Sequence, residues 1–239
     1  MMRILADHES LSQAAAKIVT QQANSAIGLR GEFNLVLSGG ETPRRTYEVL
    51  AEDRFKDEIP WDRVHVFWGD ERCVQMNDPR KNERMAREVL LNRVPIPPNH
   101  IHPINCEGSP EHAALDYESF LRTYFAGRSP RFDLVMLGLG NDGHTASLFP
   151  RSKALREEKR WVTESKSPQD HLDRVTLTTN IINHASMVIF LVSGKDKAEI
   201  LRKVIAQDIV GDPLPARLIH PSGGQLIWLV DKKAAGIST

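Results

Sequence analysis

The run Phe132-Asp-Leu-Val-Met-Leu-Gly-Leu-Gly-Asn-Asp-Gly-His-Thr-Ala-Ser147 constrains the fold more than any other stretch of the chain. Leu134 to Leu137 form a short apolar segment of the kind that fills a parallel strand buried on both faces. Gly138, Gly140 and Gly143 then permit a sharp turn and let backbone N–H groups approach a ligand with no Cβ in the way. The same order of apolar strand, glycine turn and helix recurs at Leu35-Val-Leu-Ser-Gly-Gly-Glu-Thr-Pro-Arg-Arg45 and at Val192-Ser-Gly-Lys-Asp-Lys-Ala198. Apolar runs at 33–37, 64–68, 134–137, 175–177, 187–192 and 226–230 alternate with helical patterns at 10–29, 43–51, 79–91, 110–125 and 195–205. Ser10 and Thr42 are the expected caps of the first two helices, and Pro43 suits a first helical position. The rhythm predicts an α/β protein with a mainly parallel central sheet covered by helices. A chain of 239 residues can bury one substantial core, so a single domain over 1–239 is expected.

Lysine plus arginine equals aspartate plus glutamate at 31 each, so no global field recruits nucleic acid or an anionic membrane. An anionic ligand has to be met locally. Cys73 and Cys106 are too few for a disulfide framework and lack metal-site spacing, so free thiols and no metal are expected. The N-terminal segment has no apolar core of signal-peptide length, and no later run approaches a membrane span. A reducing cytoplasm fits that reading.

In an open α/β sheet, ligands bind beyond the carboxyl ends of the strands, where Asn141, Asp142 and His144 fall. An imidazole two residues after a carboxylate, in a glycine-rich turn, is a candidate general base. A loop histidine that merely satisfies a carbonyl is the plainer alternative. Gly138-Leu-Gly-Asn-Asp-Gly143 also spells G-x-G-x-x-G, with Glu164 near the spacing of a ribose-binding acid. A dinucleotide site would need a continuous helix after the third glycine, and Pro150 argues against one. Ser38 with Gly39, Gly40 and Thr42 forms a phosphate cradle at a helix start, or simply an ordinary capped helix. Asp70, Glu71 and Arg72 end another strand, and the planar fork of Arg72 suits an oxyanion. Glu71, and less readily Asp70, also reads as surface charge paired with neighbouring arginines. Lys195 or Lys197 and Arg174 are further cations at strand ends. His184 and His220 have no acid spaced beside them and read as structural.

These segments together resemble the 6-phosphogluconolactonase family across nearly the whole chain. The resemblance rests on Ser38-Gly-Gly-Glu-Thr-Pro43, Trp68-Gly-Asp-Glu-Arg72, the 78–87 segment with Asn82, Gly138 through Pro150, Ser193-Gly-Lys-Asp-Lys-Ala198 and Pro215-Ala-Arg-Leu218. It implies a Rossmann-like three-layer sandwich, shared with glucosamine-6-phosphate deaminases and ribose-5-phosphate isomerases. It also implies hydrolysis of 6-phospho-D-glucono-1,5-lactone without metal or organic cofactor. On this resemblance His144 is the base, with Asp142 orienting it and Arg72 or turn N–H groups meeting the oxyanion. Ser38, Gly39, Gly40, Thr42, Asp70, Arg72, Asn141, Arg174 and Lys197 are the expected phosphate or substrate contacts. A monomer is expected. The chain departs from many relatives in having Lys81-Asn82-Glu83 in place of Ser-Asn-Tyr. Related deaminases carry Asn-Glu-Pro where this chain has Leu148-Phe149-Pro150, and Phe149 cannot transfer a proton. A non-catalytic sugar-phosphate sensor would keep the anion site without needing His144 and Asp142.

Overall fold

The computed structural model describes residues 1–106, 108–206 and 212–237. In chain order the elements are β1 (Met2–Leu5), α1 (His8–Arg30), β2 (Phe33–Leu37), α2 (Glu41–Leu50), α3 (Asp53–Lys56), β3 (Val64–Trp68), β4 (Asp70–Arg72), α4 (Asn82–Ala86), β5 (Ile101–His102), α5 (Pro110–Tyr124), β6 (Leu134–Gly138), β7 (Val162–Lys166), β8 (Asp173–Leu177), α6 (Thr179–Ile182), β9 (Met187–Val192), α7 (Ala198–Ile205) and β10 (Gln225–Asp231). Seven strands form one sheet in the order β1-β10-β9-β6-β2-β3-β5, and every pairing within it is parallel. The central strands β2 and β9 are buried at every residue, as continuous apolar runs covered on both faces should be.

The chain leaves β2 toward β3 and β5, then returns to the other side of β2 with β6. That reversal opens a crevice beyond the carboxyl ends of β2 and β6, the place where such sheets bind ligands. Both glycine turns singled out in the sequence emerge there.

A second sheet, absent from the expectation, is antiparallel in the order β4-β8-β7. It is tied to the main sheet where Gly69 N donates to Leu37 O and Leu177 N donates to Gly69 O, both at 2.8 Å. The 175–177 run, expected among the parallel strands, belongs to this small sheet instead. Its pairing with β4 joins segments about a hundred residues apart in the chain, so no local pattern announces it. The edge strand β1, largely exposed, precedes what the sequence suggested was the first strand.

Several boundaries also differ. Asp7, rather than Ser10, caps α1 by accepting from Ser10 N at 2.7 Å. Gly40 occupies the cap position of α2 with φ 103° and no side-chain cap, which places Thr42 inside the first turn. The helix expected from Pro79 begins at Asn82 and continues through a π-helical turn, Arg87–Leu91. Its start is dictated by Glu71, whose carboxylate accepts from Asn82 N at 2.7 Å and Glu83 N at 2.8 Å. Residues 195–205 form a 3₁₀ turn, Lys195–Lys197, before α7.

Cys73 and Cys106 are joined in a disulfide with Cα atoms 5.0 Å apart, correcting the expectation of free thiols. The fold brings the end of β4 beside the segment that follows β5, an approach invisible in a spacing of 33 residues.

Candidate active site

Gly138 to Ser147 leave β6 as a chain of turns closed by a bridge between Thr145 and Leu148, so no helix follows the third glycine. The dinucleotide arrangement therefore does not form. Gly140 N donates to His144 O at 2.8 Å and Gly143, at φ +83°, donates to Gly140 O at 3.0 Å, folding the turn back on itself. A Cβ on Gly140 would stand 2.1 Å from His144 Nδ1. Glycine is needed there because the imidazole lies against the backbone. Ala216 N donates to Gly143 O at 3.0 Å, so the Pro215–Leu218 turn holds the loop from behind.

His144 Nδ1 lies 2.5 Å from Asp142 Oδ1, and His144 N also donates to that oxygen at 3.1 Å. Burial pushes the Asp142 carboxyl up, but hydrogen bonds from His144 and Gln169 and the imidazole charge outweigh it and hold the group at about 2. With Nδ1 engaged, Nε2 makes no hydrogen bond among the described residues, and the ring lines a cavity of about 540 Å³. That size suits a small ligand. Phe149 is buried against the other side of the ring, 4.7 Å between centroids.

The facing wall begins at Ser38, whose backbone is fixed by Tyr47: Ser38 N donates to the phenol oxygen and the phenol donates to Ser38 O, both at 2.9 Å. Ser38 Oγ is buried without a partner. Gly39 leaves room for Asn82, whose Oδ1 would stand 1.9 Å from a Cβ there. Asn82 Nδ2 donates to Asp70 O at 2.9 Å. Gly40 then starts α2, and Gly40 to Pro43 line the cavity at a helix start with no side-chain cap.

Arg72 on β4 and Arg174 on β8 are direct cross-strand partners, and both line the cavity. Like charges placed opposite each other are unfavourable unless something negative meets them. Arg174 Nη2 is paired with Asp170 at 2.7 Å and Nη1 stands 3.9 Å from Asp70, while Nε of both arginines is buried without a partner. Arg72 Nη1 donates to Arg80 O. Asp70 is buried and accepts from Ser147 Oγ at 2.6 Å. Glu71 is fully buried, and burial pushes its carboxyl up to about 7 against the pull of three backbone N–H donors. Neither acid is surface charge.

Lys197 Nζ reaches Asn141 Oδ1 at 2.5 Å across the cavity mouth, which selects Lys197 over Lys195. All the expected site residues but one line this cavity; Asp142 stands behind the wall and reaches it through His144. His184 lies apart, bonded to Asn180 O at 2.6 Å, and Glu164 sits on β7 beside Arg160 at 3.6 Å. Reading the sequence missed Gln169, Tyr47 and Ser147, polar residues in contexts that carry no local signal.

A glycine-rich helix start and two arginines facing a carboxylate–imidazole pair, at the switch point of a parallel sheet, form the kind of site an enzyme uses for a small anionic substrate. Residues 6–228 match the model of the family described as glucosamine-6-phosphate isomerases/6-phosphogluconolactonase. The chain belongs to that family. A 6-phosphogluconolactonase of Synechocystis sp. is 43% identical over 97% of this chain and 95% of its own length. A probable 6-phosphogluconolactonase 1 of Arabidopsis thaliana is 37% identical over 95% and 90%. The solved 6-phosphogluconolactonase of Thermotoga maritima superposes with a TM-score of 0.84 at 31% identity, covering 97% of this chain and 99% of that one. A monomeric glucosamine-6-phosphate deaminase shares the fold at a TM-score of 0.82 and 21% identity, with 99% of each chain covered.

Proposed function

We propose that this chain hydrolyses 6-phospho-D-glucono-1,5-lactone to 6-phosphogluconate, the oxidative pentose phosphate step, with His144 as general base. The observation that carries the mechanism is His144, held by Asp142 at Nδ1 and open at Nε2 to a cavity walled by Arg72 and Arg174. Nε2 takes a proton from the water that attacks C1 and returns it to the departing ring oxygen as the tetrahedral intermediate collapses. Asp142 keeps the Nδ1 proton in place and stabilises the transient imidazolium. Negative charge on the former carbonyl oxygen meets turn N–H groups or the Arg72 guanidinium.

The phosphate, remote from C1, binds among Ser38, Gly39, Gly40, Thr42, Arg174 and Lys197, so its binding energy goes into orienting the reacting carbon. Asp70 and Asn141 shape the same wall. Phe149 beside the imidazole favours lactone hydrolysis over the deaminase chemistry of the wider family, because a hydrocarbon cannot assist ring opening. No helix among the described residues is long and apolar enough to cross a membrane. The Cys73–Cys106 bond removes the thiol argument for a reducing compartment. A charged sugar phosphate does not diffuse out through a bilayer, however, so we place a monomeric enzyme in the cytoplasm with its substrate.

The test is the disappearance of freshly made lactone with wild-type protein and His144→Ala, each against spontaneous hydrolysis at one pH. Fast loss with wild type and background loss with the variant is the expected result. No acceleration by wild type removes the lactonase reading, and equal rates require another base.

A further inference from the structure

The turn between β7 and β8 reaches both halves of the site. Gln169 Nε2 donates to Asp142 Oδ2 at 2.7 Å, on the carboxylate oxygen that His144 leaves free. One residue on, Asp170 Oδ2 accepts from Arg174 Nη2 at 2.7 Å. The turn is itself well tied. Ser167, almost fully buried, donates its hydroxyl to Gln169 Oε1 at 3.2 Å and accepts from Asp170 N at 3.3 Å. Ser167 N donates to Leu172 O and His171 N to Ser167 O, both at 3.0 Å, while Asp170 Oδ1 accepts from Leu172 N at 3.1 Å.

We propose that this hairpin turn is a positioning brace, in which Gln169 sets the Asp142–His144 pair for proton transfer and Asp170 independently sets Arg174 for the phosphate. The inference rests on His144 being the base. The hydroxyl of Ser167 decides which way the Gln169 amide faces: a donor on Oε1 leaves the NH₂ end for the carboxylate. Asp142 then has donors on both oxygens and cannot rotate away from the imidazole. With Gln169 gone, the carboxylate loses a donor, turns more freely and concentrates its charge on His144. The imidazole then holds its proton more tightly and is a free base only at higher pH. Asp170 does not line the cavity, so it acts on substrate only through Arg174.

The experiment is steady-state kinetics on fresh lactone across pH for Gln169→Leu, Gln169→Glu and Asp170→Asn, with His144→Ala as control. Gln169 is exposed, and asparagine at 170 keeps the acceptor for Leu172 N, so these proteins should fold. The Gln169 variants should lose about tenfold in kcat, part of the ~10²–10⁴ that a positioned base contributes, with KM nearly unchanged. Their acidic limb should move up by about half a pH unit for leucine and about one for glutamate, whose charge repels Asp142. Asp170→Asn should raise KM by about tenfold and leave both kcat and the acidic limb in place. An inactive His144→Ala with wild-type kcat and limb in the Gln169 variants would overturn the brace while sparing the base. Higher KM with an unmoved limb would overturn it too, by making Gln169 a substrate contact. Full activity in His144→Ala would remove both readings.

Discussion

The molecule holds two sets of imidazoles at different places on one sheet. His144 sits beyond the end of β6 with a carboxylate on Nδ1 and a cavity before Nε2. His65, His100 and His102 gather at the outer edge formed by β3 and β5, where His65 Nδ1 lies 3.1 Å from His102 Nε2 and the His65 ring stacks on His100 at 4.0 Å. Phe67, Phe120 and Tyr124 surround them, and no carboxylate bonds to any of the three among the described residues. Burial, reinforced by the neighbouring rings, pushes His102 down to about 4. His65 is lowered by burial and by His100, with Glu32 opposing and Arg128 assisting. Rings packed on one another and on aromatics, with no acid beside them, serve as partly buried packing, whereas one ring with an acid and an open face can cycle a proton. Residue type is shared; the sheet position decides the role.

The sharpest way to break that contrast is His144→Ala, which should cut kcat/KM by about 10²–10⁴ while shifting stability by less than about 1 kcal/mol. Activity assays and thermal melts on the same preparation check it. Comparable rates would reduce His144 to the standing of the other cluster.

Gly140→Ala tests whether ring placement matters as much as ring presence. Gly140 does not need a positive φ, so the fold should survive. The methyl group would occupy space held by His144 Nδ1, and displacing the ring by about an ångström should lower kcat by up to about 10²-fold. The anion wall answers to a different readout. If Arg174 meets the phosphate as proposed, Arg174→Ala should raise KM by about tenfold or more with a smaller change in kcat, since one charge-assisted contact is lost.

The smallest effect belongs to the edge cluster and concerns stability alone. The folded His102 titrates at about 4 against an ordinary 6.5, so on acidification the unfolded chain takes up its proton first. Its contribution is complete above the unfolded value and is lost progressively as pH falls from 6.5 to about 4. Discounted for partial exposure, the loss is about 1–2 kcal/mol, readable in denaturant midpoints against pH. His102→Phe should flatten that profile in the same window and leave kcat untouched. A profile unchanged by the substitution would place the acid sensitivity elsewhere.

Legibility in the sequence divided along the same line as the two sheets. The parallel strands β2, β3, β6 and β9 stood out because a strand buried on both faces must be locally apolar over its whole length. The glycine turns stood out because a backbone lying against an imidazole or an amide tolerates no Cβ, as Gly140 and Gly39 demonstrate. His144 with Asp142 was readable because two residues of separation suffice to make the contact. Strand β1 was missed: an exposed edge of four residues carries no alternation to detect. Strand β4 was missed as a strand because three polar residues, Asp70 to Arg72, pair only with β8. The cap of α4 was missed because its donor-satisfying carboxylate, Glu71, lies eleven residues before Asn82.

By itself, then, the sequence determined the parallel core, the strand ends that line the cavity and the pairing of His144 with Asp142, since each depends on residues close together in the chain. Only the tertiary structure decided that Arg72 faces Arg174, that Cys73 meets Cys106, and that Gln169 closes on Asp142. Those contacts join segments whose approach is set by the pairing of β4 with β8 and by how the two sheets pack, and no local periodicity encodes a pairing across such separations.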